Sequence, residues 1–255
     1  MCKDSNWDYS GLDSLESRTP KPPQFLSDLC CELFKWTRTV TKRYGQFPEG
    51  YTEWTLAGHL AIAADRCEYL PLQEAMGLSS ESKDKSVDER SRRPDLYLAS
   101  ADERDRPSVF FECKKDWAWL PPNGHKIKVM GKIEEANNQL QKIASIADRD
   151  EWPAGYLCCA LGLIILMDWK SDNDVWQKRG YDKAWRDLKG KFEETLCKSR
   201  VKLREYGRVY HCCYRMPHAL VAGTQHEYAE KNGKNEIPIG MFWVFSVRLQ
   251  EEIAI

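Results

Sequence analysis

The longest apolar run of the chain, residues 156–167 (Tyr156-Leu157-Cys158-Cys159-Ala160-Leu161-Gly162-Leu163-Ile164-Ile165-Leu166-Met167), has no polar face to offer solvent. It is too short to cross a bilayer as a helix, and it lies far from the start of the chain, where a signal core would sit. The run therefore reads as a strand, beginning near residue 155, that is buried on both faces. Such a strand needs a layer above and a layer below, and the flanking sequence provides helices for both. Phe25, Leu26, Leu29, Cys30, Leu33, Phe34 and Trp36 repeat at helical spacing and predict a helix from 25 to about 43. Thr52 is an N-cap residue followed by Trp54, Leu56, Ala57, Leu60, Ala61 and Ala64, which predicts a helix over 53–67. Val129, Ile133, Ala136, Leu140, Ile143 and Ala147 predict a third over 128–147, and a fourth runs from 175 to about 196. The expected fold class is α/β (α+β): a central mixed sheet flanked by helices.

The rest of the chain divides around that core. Residues 1–24 are polar, hold Pro20, Pro22 and Pro23, and read as a loosely ordered arm. Residues 25–51 are the first helix and its turn, 52–168 the core, and 169–255 a set of α/β additions. A short helix is expected around 72–76, followed by an exposed charged loop over 79–91. Strands are expected over 93–99 and 108–114, joined by a short polar connection suited to a hairpin. Further strands are expected near 208–215, 218–222 and 239–249. Between 198 and 204, Lys198, Arg200, Lys202 and Arg204 alternate with Val201 and Leu203, which suits either a strand edge or a helix tail.

Composition limits the class of partner. Hydrophobic residues make up 42% and charged residues 30%, an ordinary soluble balance, and the expected location is the cytoplasm with no membrane contact. The net charge of −1 argues against a protein that coats nucleic acid by charge alone, yet residues 178–208 hold eleven Lys/Arg against five Asp/Glu, a local +6. With Trp176, Tyr181 and Trp185 interleaved, this stretch suits either a phosphate-tracking surface or a solvated helix face. The ten cysteines include the pairs Cys30-Cys31, Cys158-Cys159 and Cys212-Cys213, all in apolar segments and none at C-x-x-C spacing. Buried free thiols are expected, and His211 beside Cys212 reads as part of a half-buried strand rather than a zinc ligand. His59 reads as a packing or surface residue.

Two short runs carry the chemistry: Arg92-Arg93-Pro94-Asp95-Leu96-Tyr97-Leu98 and Ser108-Val109-Phe110-Phe111-Glu112-Cys113-Lys114-Lys115. On a strand, positions i and i+2 share a face, so Glu112 and Lys114 project together. Asp95 on the neighbouring strand would join them, setting two carboxylates and an ammonium on one sheet edge. Hard divalent cations take one or two protein carboxylates plus water and substrate phosphate. Asp95, Glu112 and the backbone carbonyl of Cys113 meet that requirement for Mg2+ or Mn2+, and Lys114 would offset charge developing on phosphorus. Phosphodiester hydrolysis is the reaction these groups suit. Arg93 and Lys115 flank them, and with Lys198, Arg200, Lys202 and Arg204 form the candidate nucleic-acid contacts. Glu53, in the first turn of its helix, is accounted for by the helix dipole or by a role at the site.

The arrangement Pro94-Asp95 … Glu112-Cys113-Lys114 resembles the PD-(D/E)XK, or restriction-endonuclease-like, nuclease superfamily. The likeness covers about residues 52–168: a helix with an acid before the motif, two adjacent strands bearing it, then a helix and a further strand. The resemblance implies that Asp95 and Glu112 are metal ligands, Lys114 the catalytic lysine and Glu53 a further ligand, directly or through water. It also makes Gln139 or Gln141, on the helix after the lysine, a candidate. The implied activity is a Mg2+- or Mn2+-dependent endonuclease, with DNA favoured, in restriction, phage defence or mobile elements. The alternatives are a nucleic-acid-binding or assembly module that does not cut, and an RNA-directed nuclease. A single site cuts one strand at a time, so duplex cleavage points to a homodimer or to two visits, and a regulatory partner would restrain such an enzyme.

Overall fold

The computed structural model describes residues 7–15, 21–44, 53–73, 94–100, 107–119, 129–146, 155–168, 180–217 and 236–249. The elements in chain order are β1 (Asp8–Tyr9), β2 (Asp13–Ser14), α1 (Gln24–Tyr44), α2 (Glu53–Arg66), β3 (Tyr69–Gln73), β4 (Leu96–Ser100), β5 (Val109–Trp119), α3 (Met130–Ile146), β6 (Tyr156–Asp168), α4 (Tyr181–Arg204), β7 (Arg208–Arg215) and β8 (Glu236–Leu249). They build one mixed 8-stranded sheet in the order β1-β7-β8-β6-β5-β4-β3, with β2 also on β7.

The apolar run forms β6, which lies between β5 and β8 in the middle of the sheet. Its side chains from Leu157 to Met167 are buried on both faces. Among the described strands β5 and β6 are the one parallel pair, a pairing that requires a crossover, and α3 lies in that crossover. β3, β4 and β5 form an antiparallel meander. β6 meets β8 and β8 meets β7 antiparallel.

Register fixes which helix covers which face. Glu112 pairs with Cys159 and Cys159 with Ser246, so Lys114, Leu161 and Val244, then Asp116, Leu163 and Phe242, follow on that same face. Trp185 and Phe192 of α4 stack on Phe242, with Phe192 at a centroid distance of 4.3 Å. Glu135 of α3 reaches Lys114. Thus α3 and α4 cover the face that bears Glu112. The opposite face carries Lys115 and its partner Gly162, and a Cβ at Gly162 would meet Leu56 of α2 at 3.0 Å. On that face Thr37 of α1 also lies 3.4 Å from the hydroxyl of Tyr214. Among the described residues the result is three layers, two helices above the sheet and two below, with one continuous apolar core.

Several expectations change. Within the stretch read as a loosely ordered arm, β1 and β2 pair antiparallel with β7, Tyr9 opposite Tyr214 and Asp13 opposite His211. They form one edge strand interrupted around Gly11, where φ is 75°, and Tyr9 stacks on Phe34 of α1 with centroids 4.7 Å apart. The short helix expected at 72–76 is replaced, as far as residue 73, by edge strand β3. Tyr69 anchors that strand in the core while Leu70 is exposed. Of the two readings of residues 198–204 the helix tail holds, since they continue α4: Leu196 and Leu203, seven apart, are both buried, whereas Val201 is 76% exposed. The charged strand β5 is no sheet edge; it lies between β4 and β6. The loop at 79–91, the strand at 218–222, Arg93, Thr52 and residues 175–179 fall outside the described residues. The described cysteines are free thiols, and His211 is a half-buried residue of β7. No described helix is long and apolar enough to cross a membrane.

Candidate metal centre

Ladder pairing between β4 and β5 runs from Leu98 opposite Val109 to Leu96 opposite Phe111 and ends there. Pro94, two residues earlier, has no N–H to extend it. Where the ladder ends, the side chain takes over: Oδ2 of Asp95 accepts the backbone N–H of Cys113 at 2.7 Å. In an antiparallel pair the N–H and C=O of one residue project from the same strand edge. The carbonyl of Cys113 therefore faces the side of β5 on which Asp95 stands.

Glu112 and Lys114 flank Cys113 and point to the opposite layer, as their spacing requires. Glu112 is 3% exposed and Lys114 5%. Their charged groups meet at 3.0 Å, Nζ of Lys114 donating to Oε1 of Glu112. Burial, then the negative charge of Asp95, push the Glu112 carboxyl up to about 8, and Lys114 offsets only part of that. The burial and the neighbouring acid that hold the proton on Glu112 would be offset by added positive charge. A divalent cation would supply it, and the all-oxygen donor set of Asp95, Glu112 and the Cys113 carbonyl fits the preference of Mg2+ or Mn2+. Among the described residues no three His, Cys, Asp or Glu side chains converge as a metal group.

The other candidates separate. Glu53 opens α2, and its side chain lies outside the described residues. Lys115 points to the opposite face from Lys114, with Nζ 4.0 Å from the centroid of the Trp117 ring. Gln139 is half-buried on α3, with an Oε1 that is buried and has no hydrogen-bond partner among the described residues. Gln141 is exposed, as its place on the polar face of α3 requires. On α4, Lys198 pairs with Glu194 at 2.6 Å. Arg200 is half-buried, and Lys202 and Arg204 are exposed. Arg93 lies outside the described residues.

Glu135 is the residue that the sequence does not reveal. Its Oε1 lies 3.9 Å from Nζ of Lys114 and its Oε2 3.3 Å from Lys132. It stands one helical turn before Gln139. That spacing was the one available signal, but it says nothing of Lys114 until the register of α3 on β5 is known.

No family model matches the chain, and neither a curated protein nor a solved structure matches it. The class defined by fold and geometry is a three-layer mixed α/β protein with a buried carboxylate and lysine cluster where β4 stops pairing with β5.

Proposed function

We propose that the protein is a divalent-metal-dependent nuclease of the PD-(D/E)XK type, a DNA endonuclease in the first instance. The observation that carries this is the cluster itself: Asp95, just before β4, bonded to the Cys113 N–H, and Lys114 3.0 Å from Glu112 within β5. The order of elements supports it, since α2 precedes the motif strands β4 and β5, and a crossover helix and the parallel strand β6 follow.

A bound Mg2+ or Mn2+ ion would polarise a phosphoryl oxygen and acidify an attacking water. Asp95 and Glu112 would hold the ion, with the Cys113 carbonyl as a neutral third donor and Glu53 as a further one. Lys114 would place a fixed positive charge beside the reacting phosphate, where negative charge grows as water adds to phosphorus and the bond to the leaving sugar oxygen breaks. Gln139, whose carbonyl oxygen has no hydrogen-bond partner among the described residues, and the exposed Lys202 and Arg204 are candidates for substrate contact.

The test is cleavage of a supercoiled plasmid and of an RNA of similar length with Mg2+, with Mn2+ and with EDTA. Asp95→Ala and Lys114→Ala should each abolish cutting. Activity that survives either substitution overturns the assigned roles. Salt-dependent DNA binding with no cleavage under any divalent ion would favour the non-cutting module instead.

A further inference from the structure

We propose that Glu135 is a positioning residue for Lys114: it receives the lysine ammonium when a divalent cation occupies Glu112. This rests on the reading of Asp95 and Glu112 as metal ligands.

Among the described residues, two carboxylates stand within ion-pair distance of Lys114. The nearer, Glu112, is at 3.0 Å and buried; the farther, Glu135, is at 3.9 Å with its side chain half exposed. A cation on Glu112 and the ammonium of Lys114 would be like charges sharing one carboxylate, so the ammonium is driven away from Glu112 as the cation arrives. Its stem is fixed in the sheet and buried, which limits where the head can go. Glu135 stands within about an ångström of hydrogen-bond reach.

The orientation of Glu135 is also set beforehand. Lys132, one turn earlier on α3, lies 3.3 Å from Oε2, while Oε1 is the oxygen nearer Lys114. The carboxylate is thus straddled by two lysines, with one oxygen for each. A short move of Lys114 exchanges a buried partner for a half-exposed one and keeps its charge compensated. The move also carries the ammonium toward the surface of the α3 layer.

A double-substitution cycle read by Mn2+ binding tests this without requiring turnover. Mn2+ is titrated into the wild type, Glu135→Gln, Lys114→Met and the double variant, by calorimetry or by the electron paramagnetic resonance of free Mn2+. Glu135→Gln should weaken Mn2+ binding by about threefold to fivefold, the scale of a partly exposed ion pair. In the Lys114→Met background it should change nothing, because there is no ammonium left to draw off Glu112. Equal weakening in both backgrounds would mean that Glu135 acts on the cation directly and overturns the proposal, as does no change in the wild-type background. Wild-type protein that binds no Mn2+ removes the metal site itself, and this proposal with it. Wild-type protein that binds Mn2+ and shows the cycle but cuts no nucleic acid upholds the proposal and defeats the nuclease reading. Where cleavage is seen, Glu135→Gln should lower kcat with KM unchanged, and Glu135→Asp should restore part of the loss.

Discussion

The carboxylate of Asp95 is bonded at 2.7 Å to the N–H of Cys113, the residue between Glu112 and Lys114. One acid is therefore tethered to the backbone that presents the other, and the two cannot relieve their repulsion by drifting apart. The carboxyl of Glu112 is raised first by burial and then by this neighbour.

Replacing Asp95 by Asn keeps a side-chain oxygen for the Cys113 N–H and removes the charge. The Glu112 carboxyl should then titrate below about 8, while burial still holds it above its ordinary value of 4.5. A carbon-13 NMR titration of the glutamate carboxyls reads this directly. An unmoved Glu112 would mean that the two acids do not sense each other.

The same carboxyl makes stability depend on pH. Its folded value lies above its unfolded one, so the folded chain holds the extra proton between about 4.5 and 8. Stability from this group is fully present below about 4.5 and is lost as pH rises through about 8. Urea denaturation of metal-free protein across that interval should show the decline. Glu112→Gln, which cannot titrate, should flatten it.

His59 contributes with the opposite sign. It is buried in α2 beside Trp36, its Nδ1 has no hydrogen-bond partner among the described residues, and burial lowers its pKa to about 4. A base that is harder to protonate when folded destabilises the fold as pH falls from 6.5 toward 4. The difference in urea midpoint between His59→Leu and wild type should grow in favour of the variant over that range. A difference that stays constant would show that the imidazole does not titrate with unfolding.

Gly240 is where the Trp185 ring of α4 comes down on β8. A Cβ there would meet the backbone oxygen of Tyr214 at 2.6 Å and the ring at 2.7 Å. The backbone atom cannot yield as a flexible side chain would. Gly240→Ala should cost about 1–3 kcal/mol in urea unfolding.

If α4 tracks phosphates, its lysines and arginines should not count equally. Lys202→Ala should reduce the slope of log affinity against log salt for duplex DNA by about 1. Lys198→Ala should change it less, because Glu194 already holds that ammonium. Equal effects would place Glu194 outside the energetics of the pair.

The sequence discloses elements whose side chains repeat over many residues. α1, α2, α3, β6 and the motif strands are legible because burial imposes a period of 3.6 or 2, or an unbroken apolar run. β1 and β2 are not, since two-residue pairings such as Asp8 with Arg215 have no period to read. The end of α4 stays open between a strand edge and a helix tail, because Lys and Arg alternate with Val201 and Leu203 as they would on a strand. Only the seven-residue step from Leu196 to Leu203 betrays the helix. Within the candidate site, Glu112 and Lys114 are paired by local spacing alone. The bond from Asp95 depends on where the β4 ladder stops, and the reach of Glu135 on how α3 seats against β5. Both are set by residues far apart in sequence.

The parallel register of β5 on β6 extends through eleven consecutive pairs, from Val109 with Tyr156 to Trp119 with Leu166. Side chains alternate between faces, so a slip of one residue would deliver Cys113 and Lys115 to the α3 layer and turn Glu112 and Lys114 toward α2. A molecule folded that way would have the same composition and similar compactness, but its carboxylate and lysine would face the wrong wall. The proposed Mn2+ site would thus double as a proofreading signal for strand alignment, since molecules misaligned by one residue would take up none of the ion.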